Sequence, residues 1–227
     1  MKKGKKYLKM SKSINKNKIY EIEEALDLIK KNPVAKFDAS IEIHIRLGIN
    51  PKKGDQQVRG TIILPYSISK QKKIIVFAED EKQKEATMAG ADIIGSEEMI
   101  QKIKQTKKID FEIVIATPGM MRSLTSIAKI LGPKGLMPSP KNGTISTDLT
   151  KTIKEFKKGK ISFKNDDTGN IHQIIGKISL DNKKIIENYK IFLKALNKAK
   201  PATAKGVYIK NIYLCSTMGP SIKVKEL

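Results

Sequence analysis

Few positions in this chain carry groups that could do covalent or metal chemistry, and each can be weighed by its spacing. His44 and His172 are the only histidines. Neither has a partner at metal-ligand spacing or lies in an H-E-x-x-H frame, so both read as surface or polar-contact residues. Cys215 is the single cysteine. A lone cysteine predicts neither a disulfide framework nor a cysteine metal site, and is expected as a small buried residue of a strand. Asp167-Thr168-Gly169 copies the aspartic-protease triplet, but that chemistry needs two carboxylates sharing one proton. The triplet occurs once, in a lysine-rich segment, and reads as a turn. No G-x-G-x-x-G follows a strand. Gly169 to Lys177 fails as a phosphate loop, because its glycines are wrongly spaced and Ile178 stands where Ser or Thr must hold magnesium. We therefore expect no enzyme, no cofactor and no metal. The alternative reading, a nucleotide-dependent enzyme on the central segment, lacks its motif.

Charge points elsewhere. The 227 residues include 45 Lys and Arg against 23 Asp and Glu, a formal net charge of +22. Such a chain repels itself unless a polyanion supplies counter-charge, and nucleic acid is the first partner to consider. The chain is also rich in Ile and Asn, a compositional skew that discounts part of the lysine excess. Only Arg46, Arg59 and Arg122 are arginines, so the cations are mostly lysine point charges suited to phosphate. Trp is absent and aromatics are 5%, which argues against stacking of single-stranded bases on an aromatic platform. No apolar run reaches the roughly 18 to 20 residues of a membrane span. Met1 to Lys18 is lysine-rich without an apolar core and is expected to be a mobile basic arm on a cytoplasmic protein.

These groups must be positioned by regular elements. Ile22, Ala25, Leu26 and Ile29 have helical spacing, ended by Asn32-Pro33. Ile41, Ile43, Ile45 and Leu47 alternate with Glu42, His44 and Arg46, the pattern of a strand with one buried and one open face. Asn50 to Gly54 is a loop and Thr61 to Leu64 a short strand. From Gln71 the pattern changes to buried strands alternating with helices: Ile74 to Ala78, a helix around Lys82 to Ala89, Ala91 to Ile94, and a further helix. Phe111 to Ala116 follows, then Pro118 at the first position of a helix through Leu131. This predicts a parallel, Rossmann-like sheet covered on both faces.

Beyond Lys157-Lys158-Gly159 the alternation stops. Lys160 to Lys164 and Ile174 to Leu180 flank the turn Asn165 to Asn170 and are expected to pair as a hairpin. Ile185, Ile186, Tyr189, Phe192, Leu193 and Leu196 make a helix stripe. Val207 to Cys215 is a last strand whose alternation breaks at Asn211-Ile212, leaving its inward face open. The predicted class is α/β with two domains. One is a discontinuous α+β domain from both termini (1–67 plus 160–227); the other is an inserted Rossmann-like domain (68–159). Neither flank buries much core alone. The crossings near Ser67 to Gln71 and at Lys158-Gly159 would act as a hinge.

Two loops are unusual. Leu131 to Gly143 combines Gly and Pro with Lys134 and Lys141, which are expected to make secondary phosphate contacts. Ser216-Thr217-Met218-Gly219-Pro220 offers a hydroxyl, a pliable apolar surface and a glycine. With Lys36-Phe37-Asp38-Ala39-Ser40-Ile41-Glu42, Asp55-Gln56-Gln57-Val58-Arg59-Gly60-Thr61, Gly90-Ala91-Asp92, Ala116-Thr117-Pro118, Gly169-Asn170-Ile171-His172 and Ala199-Lys200-Pro201-Ala202, they carry a resemblance. The sequence resembles the bacterial large ribosomal subunit protein L-one family, the protein of the mobile lateral stalk, over nearly the whole chain after the N-terminal arm.

The resemblance implies a structural ribosomal protein and a monomer when free. It implies binding of stalk-region rRNA through the terminal domain, binding of its own operon mRNA leader as a translational repressor, and a place near the exit-site tRNA. The family's RNA surface falls on Phe37, Ser40 and Glu42, on Asp166, Thr168, Gly169 and His172, and on Thr217, Met218 and Gly219, with Lys36 adding a phosphate contact. Many relatives carry Thr where Ser40 stands, Lys where Asp167 stands and a small residue where Gln173 stands. Glu42 is the telling member. A carboxylate facing RNA is tolerated only when it accepts hydrogen bonds from 2′-OH or base groups.

Overall fold

The computed structural model describes residues 4–15, 18–31, 33, 35–66 and 73–226. In chain order its elements begin with α1 (Lys5–Ser13), α2 (Ile22–Lys31), β1 (Ser40–Leu47) and β2 (Arg59–Ile63). They continue with β3 (Ile74–Phe77), α3 (Asp80–Met88), β4 (Ile93–Gly95), α4 (Glu97–Thr106), β5 (Ile113–Ala116), α5 (Met121–Thr125), α6 (Ala128–Leu131) and α7 (Leu149–Lys157). The chain ends with β6 (Lys160–Lys164), β7 (Asn170–Lys177), α8 (Asn182–Lys198), β8 (Ile209–Ser216) and β9 (Ile222–Val224). These elements fall into two compact units, Met1–Ile68 with Ser162–Leu227, and Ser69–Ile161. The anticipated crossing at Ser67 to Gln71 lies outside the described residues.

The first unit is built on an antiparallel sheet of order β7-β1-β8-β9. Ile41, Ile43, Ile45 and Leu47 of β1 are buried, as their alternation predicts, and the residues between them stay accessible. The apolar stripes of α2 and α8 close that buried face: Ala25, Leu26 and Ile29 on one, Ile185, Tyr189, Phe192 and Leu196 on the other. Phe163 meets Phe192 edge to face at 5.5 Å. The break in the β8 pattern is a bulge, with Arg46 opposite Asn211 but Leu47 opposite Ile209. One extra residue restores Ile209, Ile212 and Leu214 to the inward face.

A fully buried asparagine is built into this core. Asn188 is 0% exposed. Its Nδ2 donates to the carbonyls of Ile175 (2.9 Å) and Tyr66 (3.1 Å), and its Oδ1 accepts the Tyr66 amide at 3.3 Å.

Three expectations need correction. Residues Lys5–Ser13 are helical rather than a mobile arm: Met10 and Ile14 are buried, and the Asn15 amide donates to the Tyr20 hydroxyl at 2.9 Å. Tyr7, Met10 and Ile14 share one helical face, a spacing obscured by the surrounding lysines. Second, β6 and β7 do not form a hairpin. β6 pairs with β2 and β7 with β1, leaving a single bridge, Asn165 to Ile171, at the base of the turn. Asn165 diverts the chain, because its amide donates to the Val58 carbonyl (3.1 Å) and its side chain accepts the Val58 amide (2.7 Å). Third, the helix expected from Pro118 to Leu131 is two short helices, with Pro118 in the turn before them. Thr125 and Ser126 bond back to the carbonyls of Met121 and Ser123, competing with helical continuation at the break.

The second unit is a parallel sheet of order β4-β3-β5. All four residues of β3 are buried, because alternate side chains enter different cores. Ile75 and Phe77 join the side chains of α4, α5 and α6, whereas Ile74 and Val76 join Ala86, Leu149 and Ile153 of α3 and α7. That explains the uninterrupted apolar run in the sequence. Among the described residues no helix is long and apolar enough to cross a membrane.

Candidate nucleic-acid interface

The strand register of the first unit decides which side chains share the open face. His44 stands opposite His172 and Tyr213, and Glu42 opposite Ile174 and Cys215. The last turn joins this face through Thr217. Its amide donates to the Ser40 carbonyl at 2.9 Å, its Oγ1 accepts the Ser40 amide at 3.2 Å, and the same hydroxyl reaches Glu42 Oε1 at 3.4 Å. From Glu42 a polar path continues to His44 (3.8 Å), His172 (2.7 Å) and Asp166 (3.3 Å). Thr217, Glu42, His172 and Asp166, singled out from three distant segments, therefore line one surface.

The turn before β7 is organised by Asp166. Its Oδ1 accepts the amides of Thr168 (2.9 Å) and Asn170 (2.7 Å), and its Oδ2 accepts the Thr168 hydroxyl at 2.8 Å. Gly169 closes the turn at φ +81, a backbone region that side chains rarely adopt. Arg46 adds a hydrogen bond to the Thr168 carbonyl. Burial pushes the Asp166 carboxyl up, but the bonds from Asn170 and Thr168 outweigh it and hold the group well below the usual carboxylate range. Since the folded value is depressed, its contribution is complete above the unfolded value near 3.8 and is lost as pH falls through the folded one. The amide resonances of Thr168 and Asn170 are therefore expected to report protonation of this carboxylate only in acid below the ordinary carboxylate range. In Asp166→Asn that acid shift should vanish.

The Ser216–Gly219 turn presents Met218 outward. Gly219 donates to the Ser216 carbonyl at 2.7 Å, and Met218 adopts φ 69 while remaining 72% exposed. A non-glycine residue held left-handed with a large apolar side chain in solvent is strained, and such positions concentrate at ligand contacts. A Cβ on Gly219 would meet Ser216 Oγ at 2.4 Å, so a larger residue there would have to displace the Ser216 side chain. Phe37 is also apolar and 60% exposed, and Lys36 is exposed beside it, just before β1. Lys134 and Lys141 belong to the other unit, exposed on a loop pinned by Thr144 Oγ1, which accepts the Ser139 amide at 2.8 Å.

Two members of the face escape sequence reasoning. His44 has no partner at close spacing along the chain, yet contacts His172 and lies 3.0 Å from Cys215 Sγ. Cys215 is half-buried on the open face rather than fully buried in the core. Burial and the Glu42 carboxylate push its thiol up to about 11, and burial, followed by neighbouring His172, pushes His44 below its ordinary value. A signal for His44 is present in the sequence, since it shares a strand face with Glu42. Cys215 cannot be placed until the bulge sets the β8 register.

A strongly basic α/β chain with an open sheet face of hydroxyl, carboxylate and imidazole groups, edged by two exposed apolar side chains, belongs to the class of RNA-binding proteins. The chain matches the Ribosomal protein L1p/L10e family over residues 29–220, and it belongs to that family. The family is one of structural, rRNA-binding proteins of the large ribosomal subunit, not of enzymes.

Proposed function

We propose that the open face of the first unit grips a folded stalk region of large-subunit rRNA, with Phe37, Ser40, Glu42, Thr168, His172, Thr217 and Met218 at the contact and Lys36 on a phosphate. The observation that carries this reading is the Glu42 carboxylate, held accessible beside the Thr217 hydroxyl on an otherwise cationic protein. Phosphate repels it, whereas ribose hydroxyls and base amino groups donate to it, so the face reads the shape and sugar edges of a structured RNA. Asp166 and Gly169 build the turn, and Gly219 admits close backbone approach. In this reading the two compact units are two domains, and the chain is a monomer when free. It forms the mobile lateral stalk near the exit-site tRNA, and it represses translation by presenting the same face to its operon mRNA leader.

The nucleotide alternative meets an obstacle in the second unit. Open α/β sheets bind nucleotides outside the carboxyl ends of their strands, and the crevice at that end, bordered by Glu79 after β3, Glu97 and Glu98 after β4 and Met120 after β5, carries three carboxylates. These carboxylates repel phosphates.

Mobility-shift binding to an rRNA stalk fragment, with an unrelated duplex of equal size as control and the mRNA leader as competitor, tests the proposal. Equal affinity for fragment and duplex overturns it. A salt series separates recognition from charge. Lys134→Ala and Lys141→Ala are each expected to lower the slope of log K against log salt by about one unit if they touch phosphate. Thr217→Val should weaken binding at every salt concentration with the slope unchanged.

A further inference from the structure

The ligand atoms of Glu42, His44 and Cys215, a carboxylate oxygen, an imidazole nitrogen and a thiol sulfur, all lie within 4.8 Å of one another. His44 Nε2 is 3.0 Å from Cys215 Sγ and 3.8 Å from Glu42 Oε2. A tetrahedral zinc shell, with bonds of about 2.0 to 2.3 Å, spaces its ligand atoms roughly 3.3 to 3.7 Å apart. The three groups therefore need only small adjustments to surround a cation. Register brings them together, because Glu42 faces Cys215 across β1 and β8 and His44 is two residues along β1 on the same side.

The second ring nitrogen of His44 supplies an independent argument. His44 Nδ1 is 2.7 Å from His172 Nδ1, and His172 Nε2 is 3.3 Å from Asp166 Oδ2. An ionised carboxylate only accepts, so His172 donates from Nε2 and keeps its lone pair at Nδ1. That lone pair accepts the His44 Nδ1 proton. His44 is left with its own lone pair on Nε2, the atom that faces Glu42 and Cys215. A carboxylate that sets the tautomer of a ligating histidine is a recurrent support of metal sites, here relayed through a second ring.

We propose that Glu42, His44 and Cys215 form a binding site for a thiophilic divalent cation of the zinc type, with His172 as a positioning residue and a fourth coordination position open to the exterior. On binding, the Cys215 S–H bond breaks, a sulfur–metal bond forms and the proton passes to solvent; nothing is oxidised or reduced. Thiolate and Glu42 carboxylate together balance the two positive charges, and the mixed sulfur, nitrogen and oxygen set disfavours magnesium and calcium, which take oxygen shells. The site shares Glu42 and its positioning residue His172 with the proposed RNA contact but goes beyond it, and it is tested without RNA.

Co2+ titrated into the full-length, chelator-stripped protein in a thiol-free reductant should give a thiolate-to-cobalt charge-transfer band in the near ultraviolet. It should saturate at one ion per chain and be bleached by Zn2+. Cys215→Ser should abolish the band. His44→Ala should weaken binding more than tenfold, and His172→Ala about tenfold with the spectrum retained. Circular dichroism checks the fold of each variant. Should Cys215→Ser fail to fold, alkylation of the wild-type thiol, the only one in the chain, serves instead, and Zn2+ should slow it strongly. A folded wild type without the band, a band surviving in Cys215→Ser, or alkylation indifferent to Zn2+ overturns the site.

Discussion

Met218→Asp is expected to weaken binding to the rRNA stalk fragment by roughly 30-fold or more at fixed salt, about 2 kcal/mol, the scale of a residue at the centre of an interface. Met218 stands at the apex of the last turn, 72% exposed and at φ 69. Asp adopts left-handed backbone more readily than Met, and the side chain makes no core contact, so thermal stability should be unchanged or slightly higher. What the substitution alters is the surface: on the proposed interface a polarizable apolar contact becomes a carboxylate facing phosphates. Met218→Leu, apolar and similar in volume, should retain most of the affinity. Equal binding by Met218→Asp and wild type in a mobility-shift assay would remove the turn from the interface.

Thr217→Val is a less clean probe than the sequence pattern suggests. An exposed turn hydroxyl would be dispensable for the fold, but Thr217 Oγ1 accepts the Ser40 amide at 3.2 Å and contacts Glu42 Oε1 at 3.4 Å. Removing the hydroxyl leaves a half-buried donor without its acceptor. A stability loss of about 1 kcal/mol should therefore accompany the lost affinity.

Asn188→Leu is expected to lower unfolding free energy by roughly 2 to 4 kcal/mol, since it strips a partner from three main-chain groups at once. The Ile175 carbonyl, the Tyr66 carbonyl and the Tyr66 amide all bond to this one side chain. Leucine has the same number of side-chain heavy atoms and leaves no cavity, so the loss reports unsatisfied hydrogen bonds together with the crowding of two methyl groups in place of a planar amide. Urea denaturation followed by circular dichroism measures it as a shift in midpoint at constant slope. A shift worth under about 0.5 kcal/mol would mean that those groups find other partners.

Where one face of an element is buried locally, its residues announce it. The period of α2, the alternation of β1, the stripe of α8 and the continuous run of β3 are all visible in the chain, because each reflects a single element's own geometry against a core. The burial of α1 is hidden by composition, since lysines outnumber the three residues that define its inner face. The expected hairpin fails for a different reason. Turn chemistry at Asn165 to Asn170 is local and legible as a turn, but pairing partners are not local, and Asn165 commits β6 to Val58.

The sequence by itself determined the class of elements and the basic polyelectrolyte character, and it singles out Glu42 and the Thr217-Met218-Gly219 turn as the outline of the face proposed for RNA. Tertiary structure alone decided which side chains meet. His44 and His172 are separated by 128 positions, and His44 and Cys215 by 171, yet both pairs lie within hydrogen-bonding reach. The reason is that facing and register are collective properties of a sheet. One inserted residue, as in the bulge of β8, moves every later side chain to the other face, and no spacing along a single strand records what its neighbour will bring opposite.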